Sequence, residues 1–441
     1  MITAAAFAGK HYAVLGLARS GLATVEALLA SGARVTAWDD ALFPGGGRDP
    51  GLDPGLRQGT EILDLNTADL SHFDSIVITP GLPLNHHPIA ARAKAAGVEI
   101  IGDIELFARA RPELPPHKVV GITGTNGKST TTALVHHILQ TAGVPSLMGG
   151  NIGLPILSQE PLTEGGVYVL ELSSYQIDLT QSLDCDVAVL LNITPDHLDR
   201  YDNDFEKYRD SKLRLFHMQQ PSEPDHAAVL GEPADPQERR DDELVNLVPN
   251  TTMLLALNRR ANQANWPALK GPHNHQNAVC AIAVGEVLGL DPDTVEHALR
   301  TYPGLPHRME RIRERDGVLF VNDSKATNAE AAAPALAAYP RVRWILGGQA
   351  KAETLGDTAK QLDHVAAAYT IGEAGPMFAR LLREAGVAVI ECETLENAVK
   401  RAAEDSQPGE TVLLSPASAS FDQFRDFEER GDRYRELVGA L

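Results

Sequence analysis

Short apolar runs alternate with amphipathic segments along the first part of the chain. The runs YAVLG (12–16), RVTAWD (34–39) and SIVITPG (75–81) are typical of strands that are buried on both faces. The segment LATVEALLASG (22–32) has helical spacing and closes on a glycine. Strands that alternate with helices in this way predict a doubly wound parallel sheet.

The same alternation starts again after a proline-rich break, RPELPPHK (111–118). KVVGIT (118–123), VYVLEL (167–172) and VAVLLNI (187–193) are largely apolar, which predicts the parallel core strands of a second α/β domain. Residues 219–250 are polar and rich in proline, aspartate and glutamate, so we expect a surface excursion there.

A third cycle of strands and helices follows TYPGLPHR (301–308). Its apolar runs predict another α/β domain, and a charged helix is expected near 424–441. The runs are GVLFVND, RVRWILGG, AAAYTIG, VAVIECE and ETVLLSP. The chain has 441 residues, a length that suits three domains of ordinary size.

Charge and cysteine content narrow the classes of function. The formal net charge of −20 argues against general nucleic-acid binding and against docking on an anionic membrane, although a local cluster of cations can still hold a small anion. The three cysteines form no CxxC pair, which excludes a disulfide scaffold and a cysteine-built zinc site. No apolar run approaches transmembrane length, and the N-terminus lacks a signal-peptide pattern. We expect a cytoplasmic protein.

The strongest local motif is a strand, a glycine turn and a helix within GITGTNGKSTTTALVHHIL (121–139). Gly124 and Gly127 allow backbone N–H groups to face a phosphate, Lys128 adds a cation, and the Ser129 hydroxyl can bind Mg²⁺. The first glycine of the strict phosphate-loop pattern is absent, and the chain has no NKxD motif for reading guanine. We therefore prefer ATP as the nucleotide.

A second glycine-rich turn, GLARSG (16–21), follows the first predicted strand. It is a degenerate dinucleotide fingerprint, so an NAD site, a packing role and a site for another nucleotide-bearing ligand all stay open. Ligands of open α/β sheets bind at the carboxyl ends of the strands. Ser20, Asp40 and Gly81 are therefore expected to line one crevice.

Several polar residues at strand ends or on helices are further candidates. Glu171 follows an apolar strand, where a carboxylate can hold Mg²⁺, but a solvated loop glutamate is equally consistent with the spacing. His197 and Lys212, taken alone, are more often surface residues. Asn274 and Asn277 lie on one helix face and either read a base or ribose, or cap the helix.

Taken together, these segments resemble the Mur ligase family. GITGTNGKST, ELSSYQ, NITPDHLDRY, GPHNHQN, GLPHR, NDSKATN and SPASASFDQF occur in the family's order. The resemblance implies an α/β fold of three domains: an N-terminal Rossmann-like domain for the UDP-substrate (1–98), a central P-loop ATPase-type domain (99–304), and a C-terminal Rossmann-like domain for the incoming amino acid (305–441).

The resemblance also implies an activity. It is strongest to members that add D-glutamate to UDP-N-acetylmuramoyl-L-alanine through an acyl phosphate, in the synthesis of peptidoglycan precursors. It implies ATP, two Mg²⁺ sites and a monomer. The alternatives are another Mur-type or folylpolyglutamate-type ligase, a dehydrogenase with an incidental phosphate loop, and a non-catalytic ATP-binding protein. The absence of a DNPR segment argues against the diaminopimelate-adding members.

The resemblance assigns residues to the nucleotide and the metal. The residues implied in catalysis are Lys128, His197, Lys212, Arg308 and Lys325. Those implied in binding ATP are Gly124, Thr125, Asn126, Gly127, Lys128, Ser129, Thr130, Asn274, Asn277, Arg308, Asp323 and Lys325. Those implied in binding metal are Ser129, Glu171, His197 and, once carbamylated, Lys212.

The two other substrates have implied positions as well. Those for the UDP-substrate are Arg19, Ser20, Asp40, Gly81, Asn151 and His197. Those for D-glutamate are Ser173, Thr327, Lys351, Ser420 and Phe427. Two departures from the family pattern stand out: Asp40 and Ala41 replace an expected Thr-Arg pair, and Lys351 lies in GGQAKAE rather than in an acidic loop.

Overall fold

The chain folds into two compact units. The computed structural model describes residues 1–40, 59–220, 226–231, 252–255, 263–350 and 352–441, with the backbone alone at 252–255. The first unit consists of Met1–Ala261 and Gln276–Ala298, and the second of Asn262–His275 and Leu299–Leu441. None of the helices in these ranges is long and apolar enough to cross a membrane.

The first sheet of the first unit is parallel, as the apolar runs predicted. Among the described residues its strand order is β3-β2-β1-β4-β5, so the order reverses between β1 and β4, where open α/β sheets bind ligands. The strands are β1 (His11–Leu15), β2 (Arg34–Trp38), β3 (Thr60–Ile62), β4 (Ser75–Ile78) and β5 (Glu99–Ile101). The helices are α1 (Arg19–Ala30), α2 (Pro88–Ala96) and α3 (Asp103–Ala110).

The second sheet is also parallel, and in the described part of the chain its order is β11-β10-β9-β6-β8-β7. The strands are β6 (His117–Thr123), β7 (Ser146–Gly150), β8 (Gly166–Glu171), β9 (Val187–Leu190), β10 (Ala227–Leu230) and β11 (Thr252–Leu255). The helices after β6 are α4 (Lys128–Thr141), α5 (Ser174–Asp178), α6 (Phe205–His217), α7 (Pro272–Val287) and α8 (Pro292–Thr301).

One prediction for this region was wrong at 227–230, while residues 221–225 and 232–250 of the same stretch lie outside the described residues. The stretch 219–250 was expected to be a surface excursion, but β10 lies inside it and all four of its residues are buried. Four apolar residues are enough for a strand that pairs with two neighbours. The polar residues on both sides concealed it in the sequence pattern.

The sheet of the second unit is mixed. Its order over the described residues is β12-β13-β17-β14-β15-β16, with β12 antiparallel to β13 and the other pairs parallel. The strands are β12 (Glu310–Arg315), β13 (Val318–Asn322), β14 (Val342–Gly347), β15 (Val365–Ile371), β16 (Val389–Glu393) and β17 (Thr411–Leu414). The helices are α9 (Ala329–Ala337), α10 (Gly375–Glu384), α11 (Leu395–Asp405) and α12 (Phe427–Ala440). The predicted strands and charged helix are confirmed.

Side-chain caps explain where several helices begin. Each capping oxygen accepts a hydrogen bond from a backbone N–H in the first helical turn, which otherwise has no partner within the helix. The residues that do this are Asp204 before α6, Asn328 before α9, Thr394 before α11 and Asp426 before α12.

The GLARSG turn owes its shape to close backbone contact. Gly16 has φ of 94°, a conformation that favours glycine. A Cβ atom on Gly21 would lie 1.9 Å from the carbonyl oxygen of Gly16, so only glycine allows α1 to pack this tightly against the turn. The packing role of these glycines is therefore real, whatever ligand the turn also binds.

Replacing Gly21 with alanine should destabilise the first unit. The added Cβ forces the backbone apart, and overpacking of this kind costs about 1–3 kcal/mol of unfolding free energy. Urea denaturation followed by circular dichroism measures the loss. Gly439→Ala is the matched control, because a Cβ there meets nothing within 4 Å and alanine favours a helix. Equal stability of Gly21→Ala and the unmodified chain would contradict the packing argument.

Candidate active site

The phosphate-loop motif forms the predicted strand, turn and helix. β6 ends at Thr123 and α4 begins at Lys128. The glycines of the turn have positive φ, 155° at Gly124 and 85° at Gly127. A Cβ atom on Gly127 would lie 2.2 Å from Oδ1 of Asn277, so the predicted Asn277 lies against the loop. The geometry is that of an anion-binding helix N-terminus.

Two lysines donate to the same carbonyl group of this loop. Lys128 Nζ donates to the carbonyl oxygens of Gly124 and Thr125, each at 2.8 Å. Lys212 Nζ donates to the Gly124 oxygen at 2.9 Å and lies 4.6 Å from the centre of the Tyr208 ring. The loop therefore concentrates positive charge where a phosphate would bind.

Lys212 is buried, so its interpretation as a helix-surface lysine was wrong. Its exposed fraction is 1%. Burial, together with the positive charge of nearby Lys128, lowers the pKa of Lys212 to about 7. A large fraction of this amine is therefore neutral near neutral pH, which makes it nucleophilic.

Glu171 also proves to be buried, with an exposed fraction of 2%, so it is not a solvated loop residue. Its Oε1 accepts a hydrogen bond of 3.0 Å from Asn151 Nδ2. Its Oε2 is buried and has no hydrogen-bond partner among the described residues. A buried carboxylate oxygen without a partner is costly unless a cation binds it. The strand end thus carries an oxygen that suits a metal ion.

Glu171 and Ser129 offer oxygen donors of the kind that Mg²⁺ takes. Within the described ranges, no three His, Cys, Asp or Glu side chains cluster closely enough to enclose a metal ion. Mg²⁺ commonly takes one or two protein oxygens and completes its shell with water and substrate phosphates. The carboxylate of Glu171 and the hydroxyl of Ser129, which is buried beside the phosphate loop, match that pattern.

A cleft of about 310 Å³ in the first unit joins several predicted sites. His197 enters it from a backbone position with φ of 51°, and its ring packs edge-on against Tyr175. Ser173 both lines the cleft and caps α5 in a capping box with Gln176. The predicted residues that line the cleft are Gly81, Lys128, Asn151, Ser173, His197 and Lys212.

The cleft also contains residues that sequence reasoning missed. Tyr175, Asp196 and Tyr208 line it. Arg200, close by, donates to the carbonyl oxygens of Gly81 and Leu82, each at 2.8 Å, and its guanidinium carbon lies 4.6 Å from the centre of the Tyr175 ring. Tyr175 belongs to the ELSSYQ motif, and Asp196 and Arg200 belong to NITPDHLDRY. Their position in these motifs could have identified them as site residues.

Ser20 and Asp40 do not line this cleft. The Ser20 carbonyl accepts a hydrogen bond from Thr24, and Asp40 accepts hydrogen bonds from the side chains of Trp38 and Asn66. Asp40 also lies 3.0 Å from His87 Nε2. The predicted crevice of Ser20, Asp40 and Gly81, and the role of these residues toward a uridine, stay predictions.

Arg19 and Asn274 make contacts of their own. Arg19 donates to the Gly153 carbonyl at 3.4 Å. Asn274 Nδ2 donates to the Lys270 carbonyl, four residues earlier, at 3.0 Å. Ala41 and Lys351 lie outside the described residues.

The second unit brings its own predicted residues together at one edge of its sheet. Asp323, Lys325 and Thr327 follow β13, while Ser420 and Phe427 follow β17, which is the neighbouring parallel strand. Lys325 Nζ lies 3.8 Å from the centre of the Phe427 ring. The carboxyl ends of adjacent parallel strands thus place these loops side by side, where α/β sheets bind ligands.

Asp323 anchors the loop that carries Lys325. It accepts hydrogen bonds from Ser415 Oγ at 2.8 Å and from the Met309 backbone N–H at 3.1 Å. Burial raises the pKa of Asp323 to about 7. The Met309 contact ties this loop to Arg308, the residue before it in sequence.

Solved structures share the fold of this chain. The UDP-N-acetylmuramate-alanine ligase MurC of Thermotoga maritima superposes with a TM-score of 0.58 at 19% identity, over 98% of this chain and 99% of that one. The MurF ligase of Thermotoga maritima in complex with ADP superposes with a TM-score of 0.57 at 16% identity, over 98% and 96%. At such identities the likeness concerns the fold alone.

Sequence relatives cover the whole chain. The UDP-N-acetylmuramoylalanine--D-glutamate ligase of Novosphingobium aromaticivorans is 57% identical over 100% of this chain and 97% of its own length. The protein of that name from Zymomonas mobilis subsp. mobilis is 55% identical over 100% of both.

Three family domains match successive parts of the chain. They are the MurD-like N-terminal domain of Mur ligases at residues 10–102, the Mur ligase middle domain at 122–248, and the glutamate ligase domain of Mur ligases at 307–418. Together with the full-length relatives, they show that this chain belongs to the Mur ligase family.

Proposed function

We propose that this chain is an ADP-forming ligase that joins D-glutamate to UDP-N-acetylmuramoyl-L-alanine in the cytoplasmic synthesis of peptidoglycan precursors. Relatives that carry this activity in their names are 55–57% identical over the full chain. The observation that carries the proposal is the cleft in which phosphate-loop Lys128, buried Lys212 and His197 meet. We also propose a monomer, as the family resemblance implies.

ATP supplies a leaving group for a carboxylate that is otherwise a poor electrophile. A carboxylate oxygen of the acceptor attacks the γ-phosphorus, the bond to the ADP oxygen breaks, and an acyl phosphate forms. The protein's task in such a transfer is to position groups and offset charge. The loop N–H groups, Lys128 and the start of α4 serve the phosphates.

Ser129, Glu171 and His197 are the residues that would hold Mg²⁺ next to those phosphates. Mg²⁺ supplies charge neutralisation on the phosphate oxygens when it is bound. The unpartnered Oε2 of Glu171 supports one such position. His197, which lines the same cleft, is the residue proposed for a second position.

We further propose that Lys212 reacts with CO₂. The neutral amine attacks the carbon, an N–C bond forms as one C–O π bond opens, and one proton leaves the nitrogen, so that a neutral amine becomes a carbamate anion. The low pKa of Lys212 supports this step because it supplies the neutral amine. The carbamate would then bear a negative charge close to Lys128 and the expected metal.

The second half-reaction forms the amide. The neutral amine of D-glutamate attacks the acyl carbon, a C–N bond forms, inorganic phosphate leaves and the nitrogen loses a proton. We propose that Arg308 and Lys325 offset the charge of the transferring phosphate. The residues proposed to hold D-glutamate are Ser173, Thr327, Lys351, Ser420 and Phe427.

Phosphate release should require both D-glutamate and UDP-N-acetylmuramoyl-L-alanine. A coupled phosphate assay over a panel of UDP-muramoyl acceptors and of D- and L-amino acids measures this requirement. Turnover with another amino acid and none with D-glutamate would assign a different ligase of the family. Phosphate release without any amino acid would show that the chain hydrolyses ATP and does not join the two substrates.

Glu171→Gln should lower kcat by about 10²-fold, because it removes the charge that binds Mg²⁺ while preserving shape. Activity measured against Mg²⁺ concentration should also show a higher requirement in this variant. Glu164→Gln is the matched control, since Glu164 is exposed and precedes the same strand. Unchanged kcat and Mg²⁺ dependence in Glu171→Gln would remove this carboxylate from the metal site.

Removing CO₂ should slow the enzyme, and adding bicarbonate should restore the rate. Lys212→Met should be slow under both conditions, because it has no amine to carbamylate. Lys207→Met is the matched control on the same helix, where the exposed Lys207 pairs with Asp202. A wild-type rate that ignores CO₂ would exclude carbamylation as a requirement.

A further inference from the structure

The buried side chain of Arg430 contacts three loops of the second unit. Its exposed fraction is 1%, although it carries a guanidinium group. It donates to the hydroxyl and the carbonyl of Ser324 at 3.0 and 2.9 Å. It also donates to the carbonyls of Ser418, Ala419 and Gly347 at 3.0, 3.2 and 3.5 Å. A planar group with a fixed fork of donors suits this arrangement.

The acceptors lie where β13, β17 and β14 end, and these strands are neighbours in the sheet. Ser324 is three residues before Thr327, and Ala419 directly precedes Ser420. The Ser324 hydroxyl, which accepts from Arg430, also donates to the Phe427 carbonyl at 2.8 Å. Arg430 therefore contacts the segments that carry three of the residues proposed to hold D-glutamate.

The surrounding backbone leaves room for this side chain. Gly348 has φ of 129°, and a Cβ atom there would lie 2.2 Å from the Ala419 oxygen and 3.1 Å from Arg430 Nη1. Gly348 thus allows the loop after β14 to lie close to both the Ala419 carbonyl and the arginine, which a residue with a side chain would not.

Arg430 makes no direct ion pair. Among the described residues, no carboxylate lies within 4.0 Å of its guanidinium, and all five hydrogen bonds go to neutral oxygens. Burial lowers the pKa of Arg430 to about 10, although the negative charge of Asp422 acts in the opposite direction, so the group stays protonated at neutral pH. A buried cation without a direct ion pair creates a positive potential that attracts anions at the neighbouring loop ends.

We propose that Arg430 is a positioning residue for the incoming amino acid, and that its charge favours a substrate with a side-chain carboxylate. The inference rests on the proposed function. The N–H donors of its guanidinium hold the loops after β13, β14 and β17 in fixed positions relative to one another. The positive charge attracts the bound amino acid without direct contact. Arg430 itself does not contact the reacting atoms.

The test is steady-state kinetics of the full-length enzyme with Arg430→Lys and Arg430→Met. Arg430→Met should raise KM for D-glutamate at least tenfold, with KM for ATP and for UDP-N-acetylmuramoyl-L-alanine changed less than threefold. Arg430→Lys keeps the charge but loses the fork, so its KM for D-glutamate should be intermediate. If Arg430→Met does not fold, Arg430→Lys tests the proposal in the same way: its KM for D-glutamate should rise while the KM values for ATP and for UDP-N-acetylmuramoyl-L-alanine change less than threefold.

Arg343→Met is the matched control. Arg343 is also largely buried in this sheet, but it binds Glu410 and Tyr369 near the opposite ends of the strands. Arg343→Met should lower the unfolding midpoint without raising KM for D-glutamate. Arg430 variants that lose stability but keep the wild-type KM, or that raise all three KM values alike, would overturn the proposal.

Failure of the proposed function is recognised separately, from the wild-type enzyme. If wild-type phosphate release depends on another amino acid, the variants are measured with that amino acid. A neutral amino acid as substrate would contradict the charge preference. If the substrate is instead another anionic amino acid, and its KM is raised in the Arg430 variants, the role of Arg430 is supported and only the identity of the substrate changes.

Discussion

The carbonyl oxygen of Gly124 is the point on which the candidate site depends. It accepts hydrogen bonds from both Lys128 and Lys212, so two lysine amines converge on one turn at the end of a parallel strand. Like charges held this close repel each other, and the burial of Lys212 adds a further cost. The arrangement is favourable when anions bind beside it, and phosphates or a carbamate would supply them.

The same principle explains how an acidic chain can hold anionic substrates. The net charge of −20 is spread over the molecule, whereas each unit brings cations to loops that follow its strands. Lys128 and Lys212 lie in the first unit, and Lys325 and Arg430 in the second. Global charge keeps polyanions away, while local charge selects small anionic ligands.

The sequence pattern predicted the fold well where elements are long and uniform. The phosphate loop, the apolar strands around it and the third α/β cycle are all present in the structure. It failed at β10, because four apolar residues between polar segments give too short a signal. It left the burial of Lys212 and Glu171 open, because these residue types are usually exposed.

By itself, the sequence determined the alternation of strands and helices, the phosphate loop and the family, because each of these depends on local periodicity or on an ordered series of short motifs. Only the tertiary structure decided which polar groups are buried and what they face. The unpartnered oxygen of Glu171, the lowered pKa of Lys212 and the five acceptors of Arg430 arise from segments far apart in the chain. Burial and charge coupling are properties of packing, and no spacing of residues along the chain encodes them.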